Sequence, residues 1–166
     1  PENNAGADSP APISGAATTV DRELPNPAIT LNLLSRALAA CRKSRSSLCI
    51  ARISLSAANN LPLRQQNPEV WRGVGRRLRQ ACRLSDLVGT TAEGDFVIIL
   101  INTKRADTRA VTERILAQLQ EWLQANYTAP YQIAVGHAAW APGAGAATAE
   151  RMLAEAATDR QPVTVS

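Results

Sequence analysis

With 166 residues, 45% of them apolar and 19% charged, the chain can bury one ordinary core, and a single domain is expected. A net charge of +4 and a pI near 9.4 suit anionic partners, but aromatic residues make up only 4%. That leaves few stacking platforms for single strands, so no nucleic acid is expected among the partners.

In chain order, residues 1–20 are rich in Pro, Ala, Gly, Ser and Asn without periodicity and read as a flexible linker. Ala28 to Cys41 repeats apolar residues at helical spacing, and Leu48 to Leu55 reads as a strand. From Pro68 to Cys82, Val70, Trp71, Val74, Leu78, Ala81 and Cys82 form a second apolar helical stripe, while Arg72, Arg76, Arg79 and Arg83 form a basic column on another face. Leu87 to Thr91 and Phe96 to Ile101 follow as two strands joined by a turn at Ala92-Glu93-Gly94-Asp95. A helix over Ala106 to Ala125, a strand over Tyr131 to Trp140 and a helix over Thr148 to Ala157 complete the order α-β-α-β-β-α-β-α. With the two central strands as a hairpin, this order predicts an α/β (α+β) fold with a ferredoxin-like βαββαβ core and additional helices. The domain is placed at 21–160, with 161–166 as a C-terminal tail that frays from Pro162 onward.

Chemistry concentrates at Arg83-Leu84-Ser85-Asp86. Arginine presents a planar fork of donors to a phosphate or to the acceptor edge of guanine, and an aspartate three residues on can accept from the guanine ring N–H and exocyclic amine. The plain alternative is a helix-end ion pair worth a few tenths of a kcal/mol.

The spacing around this pair resembles that of the GGDEF family of diguanylate cyclases, over roughly residues 19–158. There an inhibitory Arg-x-x-Asp ends a helix, five residues follow, and a Gly-Gly-Asp/Glu-Glu-Phe hairpin comes next; here Leu87-Val-Gly-Thr-Thr91 separates Asp86 from Ala92-Glu93-Gly94-Asp95-Phe96 without a gap. Leu24-Pro25-Asn26 resembles the family's entry to its first helix, and Ala134-Val135-Gly136 its Ser-Ile-Gly strand. Asn59 falls where the family has a guanine-contacting asparagine. Thr112-Glu113-Arg114 looks like the Ala-Glu-Arg whose arginine completes the inhibitory site.

The departures bear on activity. The family's first strand carries a metal-binding aspartate, but this one reads Cys49-Ile-Ala51-Arg52-Ile-Ser54 with no acid, and an arginine there repels magnesium. The hairpin's first two glycines are Ala92 and Glu93, which puts a negative charge where a triphosphate would lie, and Asp95 alone remains at the catalytic glutamate position. The resemblance therefore implies a degenerate GGDEF domain: no enzyme, no catalytic residue, no metal ligand and no cofactor.

What it implies instead is a cyclic di-GMP receptor whose ligand-binding residues are Arg83, Asp86 and Arg114, taking the ligand as an intercalated pair to which a second protein surface contributes. Similar receptors in exopolysaccharide secretion, of the BcsE (cellulose) and PelD kinds, imply a role in biofilm matrix secretion. The implied partners are other domains of a parent protein and secretion-system proteins, with dimerisation and a cytoplasmic location recruited to the inner membrane through those partners. An interaction or dimerisation module that binds no nucleotide is the alternative.

The remaining eye-catching residues suit structural roles. Cys41, Cys49 and Cys82 lie in apolar patterns without ligand spacing and read as buried free thiols. No apolar run approaches the roughly 18 residues of a membrane span. Trp71 and Trp122 are core candidates, Trp140 is placed at an exposed strand end, and His137 is read as a strand-packing residue.

Overall fold

The computed structural model describes residues 24–163; the linker expected over residues 1–20 and the last three residues of the tail lie outside them. The first helix, α1 (Pro27–Ser44), starts where Asn26 Oδ1 accepts from the Ile29 amide at 2.9 Å and Pro27 supplies a preset φ at the first helical position. It ends at Arg45, in the left-handed conformation with φ 57°. Strand β1 (Leu48–Ala57) follows, then a four-residue helix α2 (Leu63–Gln66), which the sequence pattern did not reveal. Helix α3 (Pro68–Ala81) repeats the opening of α1, with Asn67 Oδ1 accepting from Val70 and Pro68 just inside. The hairpin strands are β2 (Leu87–Thr90) and β3 (Phe96–Ile101), and the long helix α4 (Arg105–Asn126) leads to β4 (Tyr131–Trp140). Helix α5 (Ala149–Thr158), capped by Thr148, ends beside a two-residue strand β5 (Gln161–Pro162). Among the described residues no helix is long and apolar enough to cross a membrane.

The strands form one sheet in the order β2-β3-β1-β4-β5, antiparallel throughout, which is the expected ferredoxin-like topology with β5 added. Because side chains alternate across a strand, β1 serves two cores. Cys49, Ala51, Ile53 and Leu55 face Val74, Leu78, Ile115, Leu119 and Leu123 of α3 and α4. Leu48 and Ile50 face Leu34, Leu38, Met152 and Ala156 of α1 and α5. Residue 52 is next in that second row, so the sheet aims Arg52 into the layer between the strands and α5.

Two expectations change. Trp140 is buried and donates its indole N–H to the Gly145 carbonyl at 2.9 Å, because the turn after β4 folds back over it. Fraying does not begin at Pro162: Gln161 and Pro162 pair with Val135 and Ala134, and the Val163 amide donates to Ile133 at 2.8 Å. Proline is tolerated there because β5 is the outermost strand.

Gly136 sets the position of α5. A Cβ at this residue would stand 1.8 Å from the Ala156 carbonyl oxygen and 2.8 Å from the Arg160 nitrogen, so only glycine lets the end of α5 close onto β4. That closure brings Leu153 and Arg160 over the part of the sheet where Arg52 emerges, since Gly136 is Arg52's direct partner across β1 and β4.

Candidate functional site

At one end of the sheet, α3 stops at Ala81, and Cys82 takes an extended conformation. Arg83 therefore stands just past the helix rather than continuing the basic column of Arg72, Arg76 and Arg79. The turn that follows lets Asp86 fold back beneath it. Asp86 Oδ2 accepts from the Arg83 amide at 2.9 Å, and the Arg83 guanidinium grips the same carboxylate through Nε and Nη2, the latter at 2.9 Å from Oδ1. Arg83 Nη2 also reaches the Thr103 hydroxyl at 3.0 Å. The Asp86 side chain has no exposure, whereas that of Arg83 is 48% exposed. The hydrogen bond donated to Asp86 holds the guanidinium's proton more firmly than usual.

Arg114, carried by α4, places Nη1 3.5 Å from the Ala81 carbonyl at the end of α3. Burial pushes the Cys82 thiol up to about 11; Asp86 adds to that rise, while Arg114, Arg83 and Arg79 oppose it. The charges acting on Cys82 are thus three cations against one anion, 3 − 1 = +2. Leu84, within the same turn, is fully exposed.

At the opposite end of β3 the hairpin turn closes through Thr91, whose amide donates to the Asp95 carbonyl and whose hydroxyl accepts from the Asp95 amide at 3.1 Å. Gly94, at φ 89°, supplies the left-handed step that the turn requires. Arg52 lies directly beneath this turn. Its Nε donates to Asp95 Oδ2 at 2.8 Å, its Nη2 to Glu93 Oε1 at 3.0 Å, and its Nη1 to the Leu153 carbonyl at 3.2 Å. Arg160 adds Nη1 at 3.3 Å from the same Asp95 oxygen and also bonds the Ser54 hydroxyl at 2.6 Å. Asp95 and Arg52 are both nearly buried, so this pair is poorly hydrated. Glu93 is 69% exposed; its own backbone N–H, then Thr91 and Arg52, lower its pKa.

From the other face, Arg64 Nη2 donates to the Ala92 carbonyl at 2.8 Å and Trp71 donates its indole N–H to the Gly94 carbonyl at 2.9 Å. The Trp71 ring stacks on Phe96 with centroids 5.0 Å apart. Asn59 lies in an exposed turn, where its Oδ1 accepts from Leu61 and its Nδ2 donates to Gln66 of α2.

The profile for the diguanylate cyclase GGDEF domain matches residues 22–160, most of the chain. This protein belongs to the GGDEF family. The solved GGDEF domain of TpbB (YfiN) from Pseudomonas aeruginosa is 24% identical, with a TM-score of 0.66 over 81% of this chain and 86% of that one. The active GGEEF domain of a Vibrio cholerae diguanylate cyclase is 15% identical, with a TM-score of 0.63 over 82% and 88%. The GGDEF domain of DgcB from Caulobacter crescentus, solved with c-di-GMP, is 13% identical, with a TM-score of 0.62 over 81% and 82%. At these identities the likeness establishes the fold. No curated protein sequence matches the chain.

The divalent metal that a GGDEF cyclase requires does not fit the residues present. Among the described residues no three His, Cys, Asp or Glu side chains gather to hold a metal. Asp95, the acid nearest such a role, is already neutralised by two guanidinium groups. Sequence reasoning placed Arg52 and Asp95 separately and missed their bond. It also missed Arg64, Thr103 and Arg160, whose partners are distant in the chain. An arginine where a carboxylate is expected, facing a retained acid, was the available signal for the first of these.

Proposed function

We propose that this GGDEF domain makes no cyclic di-GMP and binds it instead, as a receptor acting through Arg83, Asp86 and Arg114. The observation that carries the first half is the Arg52 guanidinium bonded to Asp95 and Glu93. It puts a permanent cation where catalysis would need a metal, and it consumes the carboxylates that would hold one.

For the second half, the half-exposed Arg83 guanidinium stands on Asp86 while Arg114 reaches the Ala81 carbonyl beside Cys82, and two guanidinium groups against one carboxylate favour a phosphodiester. Arg83 would turn its exposed edge to phosphate or guanine, Asp86 would accept from the guanine Watson–Crick edge once Arg83 swings aside, and Arg114 would add a second cationic contact. Exposed Leu84 offers an apolar face to a purine. DgcB, which shares the fold, was solved with c-di-GMP. The regulation of exopolysaccharide secretion, cellulose included, rests on the family resemblance alone, as do cytoplasmic location and secretion-system partners.

One observation favours a second reading, a nucleotide-independent interaction or dimerisation module: Asp86 is fully buried and already satisfied by Arg83. Calorimetric titration separates the two. Saturable heat with cyclic di-GMP, none with GTP and magnesium, and no product formed is the expected result. Silence with both nucleotides hands the domain to the second reading, and product above a no-enzyme control overturns the inactive assignment.

A further inference from the structure

We propose that Thr103 is a positioning residue of the Arg83 site: its hydroxyl anchors one end of the Arg83 guanidinium, which leaves the other end for the ligand and lets Asp86 be released to guanine. The inference rests on the receptor reading of Arg83 and Asp86. It adds the group that allows one carboxylate to serve first the arginine and then the ligand.

An arginine side chain carries five N–H donors in a rigid fork. Asp86 takes two of those of Arg83, with Nε at 3.3 and 3.2 Å from its two oxygens and Nη2 at 2.9 Å from Oδ1. Thr103 Oγ1 takes the second Nη2 hydrogen at 3.0 Å, with the Ile101 carbonyl farther off at 3.5 Å. Nη1 bonds no group among the described residues, and the side chain is 48% exposed. A carboxylate by itself does not choose between the two forks of a guanidinium, Nε with Nη2 or Nη1 with Nη2. The second fork would consume Nη1. Thr103 selects the first, because it occupies the Nη2 hydrogen that the second needs.

The anchor is itself held on three sides. Asn102, in the left-handed conformation at φ 56°, turns the chain out of β3 and into Thr103. The Thr103 amide then donates to the Ser47 carbonyl at 3.2 Å, and its carbonyl accepts from Cys49 Sγ at 3.1 Å. Its hydroxyl hydrogen is committed to the Ile101 carbonyl at 3.3 Å, so the oxygen meets Arg83 as an acceptor. Thr103 is buried, which keeps water from replacing it. Asp86 has a hold of its own, since it also accepts from the Arg83 amide and stays in place when the guanidinium turns away. Arg83 can therefore pivot on the Thr103 bond, giving up Asp86 to a guanine while Nη1 meets phosphate.

Thr103→Val keeps the shape of the side chain and removes the hydroxyl, whereas Thr103→Ser keeps the hydroxyl. Calorimetric titration should show cyclic di-GMP bound about five- to tenfold more weakly by T103V and within about twofold of the parent by T103S. A merely structural role would leave the guanidinium's own signals alone, so proton–nitrogen NMR of the free domain supplies the second readout. The Arg83 Nη signals, identified by their loss in Arg83→Ala, should be resolved in the parent and in T103S, where the hydrogen bonds slow rotation about Cζ–Nη, and merged in T103V. Parent-like affinity in T103V, an equal loss in T103S, or Nη signals alike in parent and T103V would each overturn the anchor while leaving the Arg83 site standing. No heat from the parent overturns the receptor reading and the anchor's part in it together.

Discussion

Replacing Arg52 by Met keeps most of the aliphatic stem and deletes the guanidinium that ties β1 to the hairpin and to α5. Asp95 would then be left nearly buried with Arg160 as its remaining ion-pair partner, at 3.3 Å. Breaking one side of a buried pair costs about 3–5 kcal/mol, because the surviving charge stays dehydrated. Arg160 offsets part of that here, which places the expected loss near the lower end, about 3 kcal/mol. Glu93 contributes little, since an exposed pair is worth about 0–1 kcal/mol. With a urea slope of roughly 1–3 kcal/mol/M, the midpoint should fall by about 1–3 M. Combining Arg52→Met with Asp95→Asn removes the stranded charge and should recover part of the loss, whereas Glu93→Gln should move the midpoint little. A stability for Arg52→Met within about 0.5 kcal/mol of the parent, or no recovery in the double variant, would refute the claim that this pair holds the hairpin down.

Other expectations follow from the same contacts. Arg83→Ala should weaken cyclic di-GMP binding by about 1.5–3 kcal/mol per bond lost, roughly tenfold for each 1.4 kcal/mol, and Asp86→Asn should weaken it as well; Arg79→Ala should matter less, so equal losses in all three titrations would mean nonspecific attraction. Gly136→Ala should destabilise by about 1–3 kcal/mol, because the new methyl meets the backbone of residue 156 rather than a side chain that could move; an unchanged melting temperature would contradict the close approach. His137, whose pKa burial lowers against the pull of Asp159 while Arg109 adds to the drop, is favoured neutral in the fold. Its contribution is full above the ordinary value of 6.5 and is lost as pH falls from there through the folded pKa, so urea midpoints should decline over that window more steeply in the parent than in His137→Gln.

Much of the fold was legible because its helices and strands carry clean periods and conventional ends. Asn26-Pro27 and Asn67-Pro68 mark helix starts by capping chemistry that can be read without a structure. Helix α2, at four residues, is too short to show a period. The burial of Trp140 depends on a carbonyl in an irregular loop, and β5 on a partner strand some 27 residues away, so neither has a local signature. Arg83 and Asp86 are three residues apart, and their pairing was foreseeable from spacing. The bond between Arg52 and Asp95 spans 43 residues and exists because the sheet register and Gly136 bring β1, the hairpin and α5 together.

The group formed by Arg52, Arg160, Glu93 and Asp95 has a consequence for how anions meet the domain. Two cations and two anions cancel, 2 − 2 = 0, which leaves Arg64, bonded to the Ala92 carbonyl, as the surplus charge at a hairpin end otherwise rich in compensated ions. Around Cys82 the groups do not cancel. A polyanion is therefore expected to be drawn more to the Arg83 end than to the hairpin, an attraction that salt weakens as the Debye length contracts below about 10 Å. The same cancellation ties the hairpin to β1 and α5.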